Sequence, residues 1–514
     1  MHMTSDNSSP QPKLPPTSSS ADNLVDSWLS GSAKALDGGG VAFAPAGRMS
    51  PRSKLHGAYD WIVTRAILTS MGDMQPGRSR SIGRGSTKIE IGDGPSYASF
   101  ILLPLLNLIT SRRMVFVGAP GRGKTSVATL MSLLAGTPLA QARRQIQHGH
   151  PQMTVHDLLG SPLPSNLMKA DTAAEVRLDW RQWLKARVKI VDEYNRIPTK
   201  TQSALLSLLA EGYAEMFEQT VEVGRSTWYL TANDEFGGGT FPVIDALKDR
   251  IDAVVRCAPF QMEHIDALVA RIASDSQPEF RIPADIVFSA EELDAVDTAV
   301  RKVAVPDALL ELVGFVLGQF EFCRRASGRI DYMNKDTLHL AGRRVGHVCT
   351  EDCALDRTVS LCAQTENGVS PRALQSLIHY AQALAYFLGR NDVVLDDIRL
   401  LIPWVLFERL RPNLQSPLFE KDENKVHLLD RATWIRTLFD MGVQQFGAYT
   451  TIRDDVSRAL EQAQDATAKL PARIAALEKQ MARLLDDCEL NGAVHADLVR
   501  LRRIHQTLRD SAPQ

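Results

Sequence analysis

Phe116-Val117-Gly118-Ala119-Pro120-Gly121-Arg122-Gly123-Lys124-Thr125-Ser126 is an apolar run that breaks into a glycine-rich turn and ends in Lys-Thr-Ser. It satisfies the spacing G-x-x-x-x-G-K-[ST]. Glycines there let backbone N–H groups turn inward around a phosphate chain, Lys124 would reach the β- and γ-phosphates, and the Thr125 hydroxyl would ligate Mg²⁺. The residues before it, MVFV (114–117), read as a short buried strand, and those after it, SVATLMSLL, as a helix. That strand–loop–helix order is what an anion site at a helix N-terminus requires. Gly118, Ala119, Pro120, Gly121, Arg122, Gly123, Lys124, Thr125 and Ser126 are therefore the candidate nucleotide-binding residues.

Working outward, VKIVDEYNR carries an apolar strand (188–191) that delivers Asp192 and Glu193 at its C-terminal end, where ligands bind in open parallel sheets. Asp192 would hold Mg²⁺ through water, and Glu193 would orient or deprotonate the attacking water. The strand TWYLTA (227–232) ends in Asn233, placed to touch the γ-phosphate or the lytic water. DALKDR closes a short helix with Arg250. Taken singly, an acidic pair, a strand-tip Asn and a surface Arg are each ordinary features. Following a phosphate loop in this order, they read as a hydrolytic set.

The chain has 514 residues, 44% hydrophobic and 23% charged, with a formal net charge of -2. Such composition supports several buried cores and offers no global basic field for a nucleic acid. Six cysteines in this length make no disulfide scaffold. The first residues lack the basic and apolar regions of a secretory signal, and the apolar stretch FILLPLLNLI from Phe100 is half the length of a membrane span. A cytoplasmic protein is expected. Residues 1–55 are Ser-, Pro- and Gly-rich and expected to be disordered. Residues 56–262 alternate strands and helices, which predicts an α/β core with a parallel sheet, DAVVRC (252–257) supplying a further strand. Residues 263–412 read as a helical lid, and 413–514 as a C-terminal helical, coiled-coil-like hairpin. In that last part Val456, Leu460, Ala463, Leu470, Leu477, Leu484 and Cys488 step by four and three, and Pro471 must start or kink a helix.

The order of these parts resembles the MoxR family of AAA+ ATPases over about residues 95–410. Beyond the two general nucleotide motifs, the resemblance rests on HGHPQMTVHDLLG (148–160), VDEYNRIPTKTQSALLSLLAEG (191–212), TANDEFGGGTFPVIDALKDRI (231–251), GVSPRAL (368–374) and the helices after it. It implies an αβα P-loop domain with a helical lid, assembled as a homo-hexamer with ATP at subunit interfaces. Position by position, it implies that Asn233 is sensor 1, Arg250 the arginine finger presented to a neighbour's ATP, and Arg372 sensor 2. Arg196 and Arg225 are alternative fingers, and Arg196 could as easily be a structural ion-pair partner. The resemblance further implies a chaperone-like role in complex maturation or metal insertion, with a partner carrying a von Willebrand factor A domain.

Three stretches depart from this pattern. The lid holds an insertion, about 323–366, with Cys323, Cys349, Cys353 and Cys362 beside His339 and His347. C-x₃-C with a further Cys is within reach of zinc geometry, with Cys349, Cys353 and Cys362 as ligands of a structural Zn²⁺; the alternative is reduced thiols packed as small hydrophobes. His148, His150 and His156 read as packing residues rather than a metal site. GRSRSIGRGSTK (77–88) reads as a solvated Gly-rich loop. Two other functions stay open at this stage: a nucleic-acid-associated AAA+ motor, and a nucleotide-gated interaction scaffold in which the C-terminal hairpin is a docking arm.

Overall fold

The computed structural model describes residues 49–510 except 78, 85–86, 164–167, 169–175, 234–239, 275–281 and 466. The expected disordered opening lies outside these residues as far as 48. Ser50–Gln514 forms a compact unit. It begins with helix α1 (Pro51–Trp61), started by Pro51 at its first position and by the Ser50 hydroxyl, which accepts from Ser53 N. The expected boundary between opening segment and core therefore falls inside a helix.

Strands β1 (Ser79–Arg84) and β2 (Thr87–Gly92) follow as an antiparallel hairpin in the register Ile82↔Ile89. The basic run expected to be a loop is thus mostly strand. Its Gly and Arg content masked the period-2 placement of Ile82, Ile89 and Ile91.

Helix α2 (Ser99–Thr110) comes next, with every residue buried despite Pro104 within it. It is apolar all round because it is enclosed by the protein, a use of such a sequence that is too short for a membrane. Its one buried amide is satisfied on both sides. Asn107 donates to the Trp228 carbonyl at 3.2 Å and accepts from Tyr380 Oη at 2.7 Å, joining the sheet to the lid.

The central sheet has five parallel strands: β3 (Arg113–Val117), β4 (Gln147–His148), β5 (Val188–Asp192), β6 (Thr227–Ala232) and β7 (Ala253–Arg256), in spatial order β7-β3-β6-β5-β4. All four strands expected from apolar runs are present. β6 is buried along its whole length, as a strand covered on both faces must be. Helix α3 (Lys124–Leu134) follows β3, α4 (Thr199–Glu211) follows β5, and the short α5 (Asp245–Arg250) precedes β7.

The lid comprises α6 (Ala290–Arg301), α7 (Asp307–Glu321), α8 (Pro371–Phe387) and α9 (Leu395–Leu406). Asp252, 3% exposed, locks it to the core: it accepts from Arg113 N and Nε at 2.9 and 3.0 Å, and from Ser376 Oγ of α8 at 2.7 Å. Burial alone would raise its carboxyl, but Arg113 and Arg112 outweigh that and hold it below the usual range.

The C-terminal part corrects the expected hairpin. Three helices, α10 (Arg431–Gln464), α11 (Leu470–Asp486) and α12 (Gly492–Asp510), share a separate core of Val456, Leu460, Ala463, Leu477, Leu484, Val494, Leu498 and Leu501. Pro471 sits in the first turn of α11 and starts it. The bundle lies against α7 rather than projecting. A Cβ on Gly492 would come within 2.8 Å of the Gly318 carbonyl, and Arg453 meets Glu311 at 2.6 Å.

The Cys-rich insertion folds without the expected zinc. Among the described residues no group of three or more His, Cys, Asp or Glu is arranged to hold a metal. Cys323 and Cys349 pack with Leu338, Val345 and Ala363. Burial raises the thiols of Cys323, Cys349 and Cys362, the last to about 12, which keeps them protonated and poor metal ligands. The cation of this region is Lys335, 1% exposed, whose Nζ donates to the Thr365 carbonyl at 2.7 Å and to Thr365 Oγ1 at 2.5 Å. That network, with Glu366 accepting from Val345 N at 2.9 Å and Gly346 N at 3.1 Å, orders the insertion where its apolar content could not.

Candidate nucleotide site

Three neighbouring strands end at one place. β3 runs into the glycine loop, β5 into Asp192-Glu193 and β6 into Asn233. The loop is closed by backbone that side chains rarely adopt: Gly118, Gly121 and Gly123 have φ of 150°, 74° and 76°. Gly123 immediately precedes α3, so the first amides of that helix face the loop.

Lys124 is 6% exposed and fully engaged. Its Nζ donates to the carbonyls of Gly118 (2.5 Å) and Ala119 (3.0 Å) and to Asn233 Oδ1 (2.7 Å). Thr125 Oγ1 donates to Asp192 Oδ1 at 2.8 Å, and Thr231 Oγ1 donates to the same oxygen at 2.6 Å. A hydroxyl and a carboxylate oxygen at hydrogen-bond separation, beside a phosphate loop, form an all-oxygen donor set that fits a hard divalent cation. His148, on β4 opposite Asp192, brings Nδ1 to 3.4 Å from Asp192 Oδ2. His156 instead stacks on Phe217, as a packing histidine would.

Glu193 occupies left-handed backbone, φ 53° and ψ 47°, which a non-glycine residue adopts at a cost of about 1–2 kcal/mol. The surroundings impose it. Glu193 N donates to Thr231 Oγ1 at 2.9 Å, and Gly149 N to the Asp192 carbonyl at 2.7 Å. Gly149 passes so close that a Cβ there would lie 2.3 Å from the Glu193 carbonyl oxygen. The carboxylate is held at both oxygens: Asn233 Nδ2 donates to Oε1 and Arg196 Nη1 to Oε2, the latter at 2.8 Å.

The structure thus brings together Lys124, Thr125, Asp192, Glu193 and Asn233, and adds three residues not singled out for this site from sequence. Thr231 and Gly149 lay inside recognised stretches, but nothing in their type signalled contact with the acidic pair. Arg196 had been left between finger and ion-pair partner, and it is the partner of Glu193. Arg225 is likewise occupied, by Asp297 of α6.

Arg250 and Arg372 stand apart from this cluster. Arg250 Nη1 donates to the Ala246 carbonyl of its own helix at 2.9 Å, and Arg372 Nη1 to Asp249 Oδ2 at 2.7 Å. Burial would raise the Asp249 carboxyl, but hydrogen bonds from Ser370 and Arg372 outweigh it and leave it below the usual range. Both arginines are therefore presented from the α5–α8 side. Cys349, Cys353 and Cys362 belong to the lid and have no part in this site.

The family model described as the AAA domain of the dynein-related subfamily matches residues 113–250, and the AAA lid domain model matches 360–431. The chain is 23% identical over 317 residues to the uncharacterised protein YeaC of Bacillus subtilis (strain 168), covering 60% of this chain and 80% of YeaC. A crystal structure of a "putative ATPase" from Cytophaga hutchinsonii superposes with a TM-score of 0.49 at 17% identity, over 80% of this chain and 98% of that one. Among the described residues no helix is long and apolar enough to cross a membrane.

Proposed function

We propose that this AAA+ ATPase is a cytoplasmic remodelling machine of the MoxR type, a ring whose ATP hydrolysis moves the lid against the core and passes that motion to a client protein. The observation that carries the reading is the convergence of Lys124, Thr125, Asp192, Glu193 and Asn233 at adjacent strand ends. Gly118–Ser126 cradle the triphosphate with backbone amides, and Lys124 turns from Gly118 and Ala119 to the phosphate oxygens. Thr125 and Asp192 hold Mg²⁺, which supplies charge neutralisation on the phosphates. Glu193 orients the attacking water and accepts its proton. Asn233, already touching both Lys124 and Glu193, positions that carboxylate relative to the γ-phosphate.

Arg250 acts as a finger on a neighbour's ATP, with Arg372 beside it as sensor 2. Their contacts on the α5–α8 side favour action between subunits over action on their own loop. A guanidinium supplied in trans adds about 10³–10⁵ in rate, so hydrolysis depends on assembly, here as a homo-hexamer. The resemblance extends the proposal to a partner with a von Willebrand factor A domain and to complex maturation or metal insertion.

The test is a trap. Glu193→Gln should bind ATP without turning it over, so complexes made in the ATP state persist. Tagged and recovered from native cells with ATP and Mg²⁺, it should enrich a von Willebrand factor A protein or the subunits of one metalloenzyme beyond a Lys124→Ala control. Recovery of nuclease-sensitive, nucleic-acid-bound proteins instead would sink the remodelling assignment.

A further inference from the structure

A cavity of about 510 Å³ opens directly beside the phosphate loop. Its walls come from segments far apart in sequence: Asp73, the loop residues Gly118 and Ala119, Arg256 at the end of β7, Trp404 of α9 and Ala432 in the first turn of α10. Two of these carry unspent hydrogen-bonding capacity. Trp404 is 6% exposed, yet its indole Nε1–H has no acceptor. Buried donors are rarely left so, because the group forfeits water and gains nothing in return. Asp73 accepts one bond on each oxygen, from Ser99 N at 2.8 Å and Ser99 Oγ at 2.6 Å, which orients the carboxyl and leaves a further acceptor site on each.

A triphosphate lying along Gly118–Thr125 has its nucleoside at one end of the loop, and this cavity is contiguous with Gly118 and Ala119. An indole N–H can only donate and a carboxylate can only accept. A 6-aminopurine offers the matching pair on one edge, a ring nitrogen that accepts beside an amine that donates. The aromatic ring of Trp404 adds a flat apolar wall suited to a base.

We propose that Asp73 and Trp404 are the specificity-determining residues of this ATPase: Asp73 accepts from the exocyclic amine of adenine, and Trp404 Nε1–H donates to a ring nitrogen of the base. This rests on the nucleotide reading of the phosphate loop. It also makes base recognition a joint act of core and lid, since Asp73 precedes the sheet while Trp404 belongs to α9.

The experiment measures equilibrium binding of three probes to the full-length chain: ATP, purine riboside triphosphate, which lacks the 6-amino group, and inorganic tripolyphosphate. Wild-type protein should bind ATP about tenfold more tightly than the purine analogue, the worth of one hydrogen bond. Trp404→Phe, which keeps a ring and removes only the donor, should weaken ATP by about tenfold and leave tripolyphosphate unchanged. Equal wild-type affinity for ATP and the purine analogue overturns the role of Asp73, and an unchanged ATP affinity in Trp404→Phe overturns that of Trp404. Tripolyphosphate that binds wild type but not Lys124→Ala keeps the phosphate-loop reading intact whichever way the base arms fall. Failure of wild type to bind tripolyphosphate or ATP overturns both readings together.

Discussion

Two lysines in this molecule are buried to a similar degree and do opposite things. Lys124 is 6% exposed and Lys335 is 1% exposed, and each gives its ammonium protons to backbone carbonyls and a side-chain oxygen. Lys124 sits at the open ends of parallel strands, in a loop of positive-φ glycines, next to the carboxylates of the acidic pair. Lys335 sits inside the lid insertion among thiols and Glu321 and Glu366, with burial lowering its pKa to about 8. Burial and hydrogen bonding therefore do not distinguish a ligand-binding cation from a structural one. Access to a cavity and the chemistry of the neighbouring groups do.

The sharpest way to break this contrast is to remove each ammonium in turn. Lys124→Ala should reduce ATP affinity by at least about a hundredfold, from loss of a charge-assisted contact to the phosphates, with little change in thermal midpoint. Lys335→Ala should do the reverse, lowering stability by about 2–4 kcal/mol by stranding Thr365 and Asn367 acceptors, while ATP affinity per folded molecule holds. Isothermal titration together with denaturant melts reads both, and loss of ATP binding in folded Lys335→Ala would erase the distinction.

A second effect of similar size concerns the strained end of β5. Gly149→Ala must push Glu193 aside, and a displacement of about 1 Å at the hydrolytic carboxylate should cut kcat by about 10²-fold with ATP binding retained. Unaltered turnover would mean the position of Glu193 is not set by Gly149.

The smallest effect is a pH dependence. Lys335 has a folded pKa of about 8, below its ordinary value of 10.5, so above pH 8 the unfolded chain carries a proton that the folded one has released. Stability should therefore rise with pH from about 8 towards 9, by about 1.4 kcal/mol per unit at most, relative to Lys335→Met. Above that window the raised thiols of Cys323, Cys349 and Cys362 act in the opposite sense, because the unfolded chain loses their protons first. Parallel pH profiles for wild type and Lys335→Met would remove Lys335 as a titrating group in the fold.

Much of the nucleotide core was legible in the chain. Apolar runs of four to six residues marked β3, β5, β6 and β7, and the polar residues that end three of them are those that converge. The lid insertion was misread because cysteine spacing was the only local signal there. The group that organises it, Lys335, looks in sequence like any surface lysine. The C-terminal seam was read correctly as helical, yet the partner faces were not, since Val456 and Leu460 pack on two further helices and not on one.

The division follows from range. What the sequence determined by itself is contiguous: a loop that only glycines can close, a strand that hands an acidic pair to its tip, a proline that must begin a helix. These depend on backbone sterics and on periodicity within a few residues. What the tertiary structure alone decided is non-local: Arg196 rather than solvent beside Glu193, Gly149 against its carbonyl, a lysine in place of a metal among the lid cysteines, and Asp73 with Trp404 on one cavity. Those juxtapositions arise only when the sheet order and the lid's packing on α2 bring distant segments together, and no local propensity encodes them.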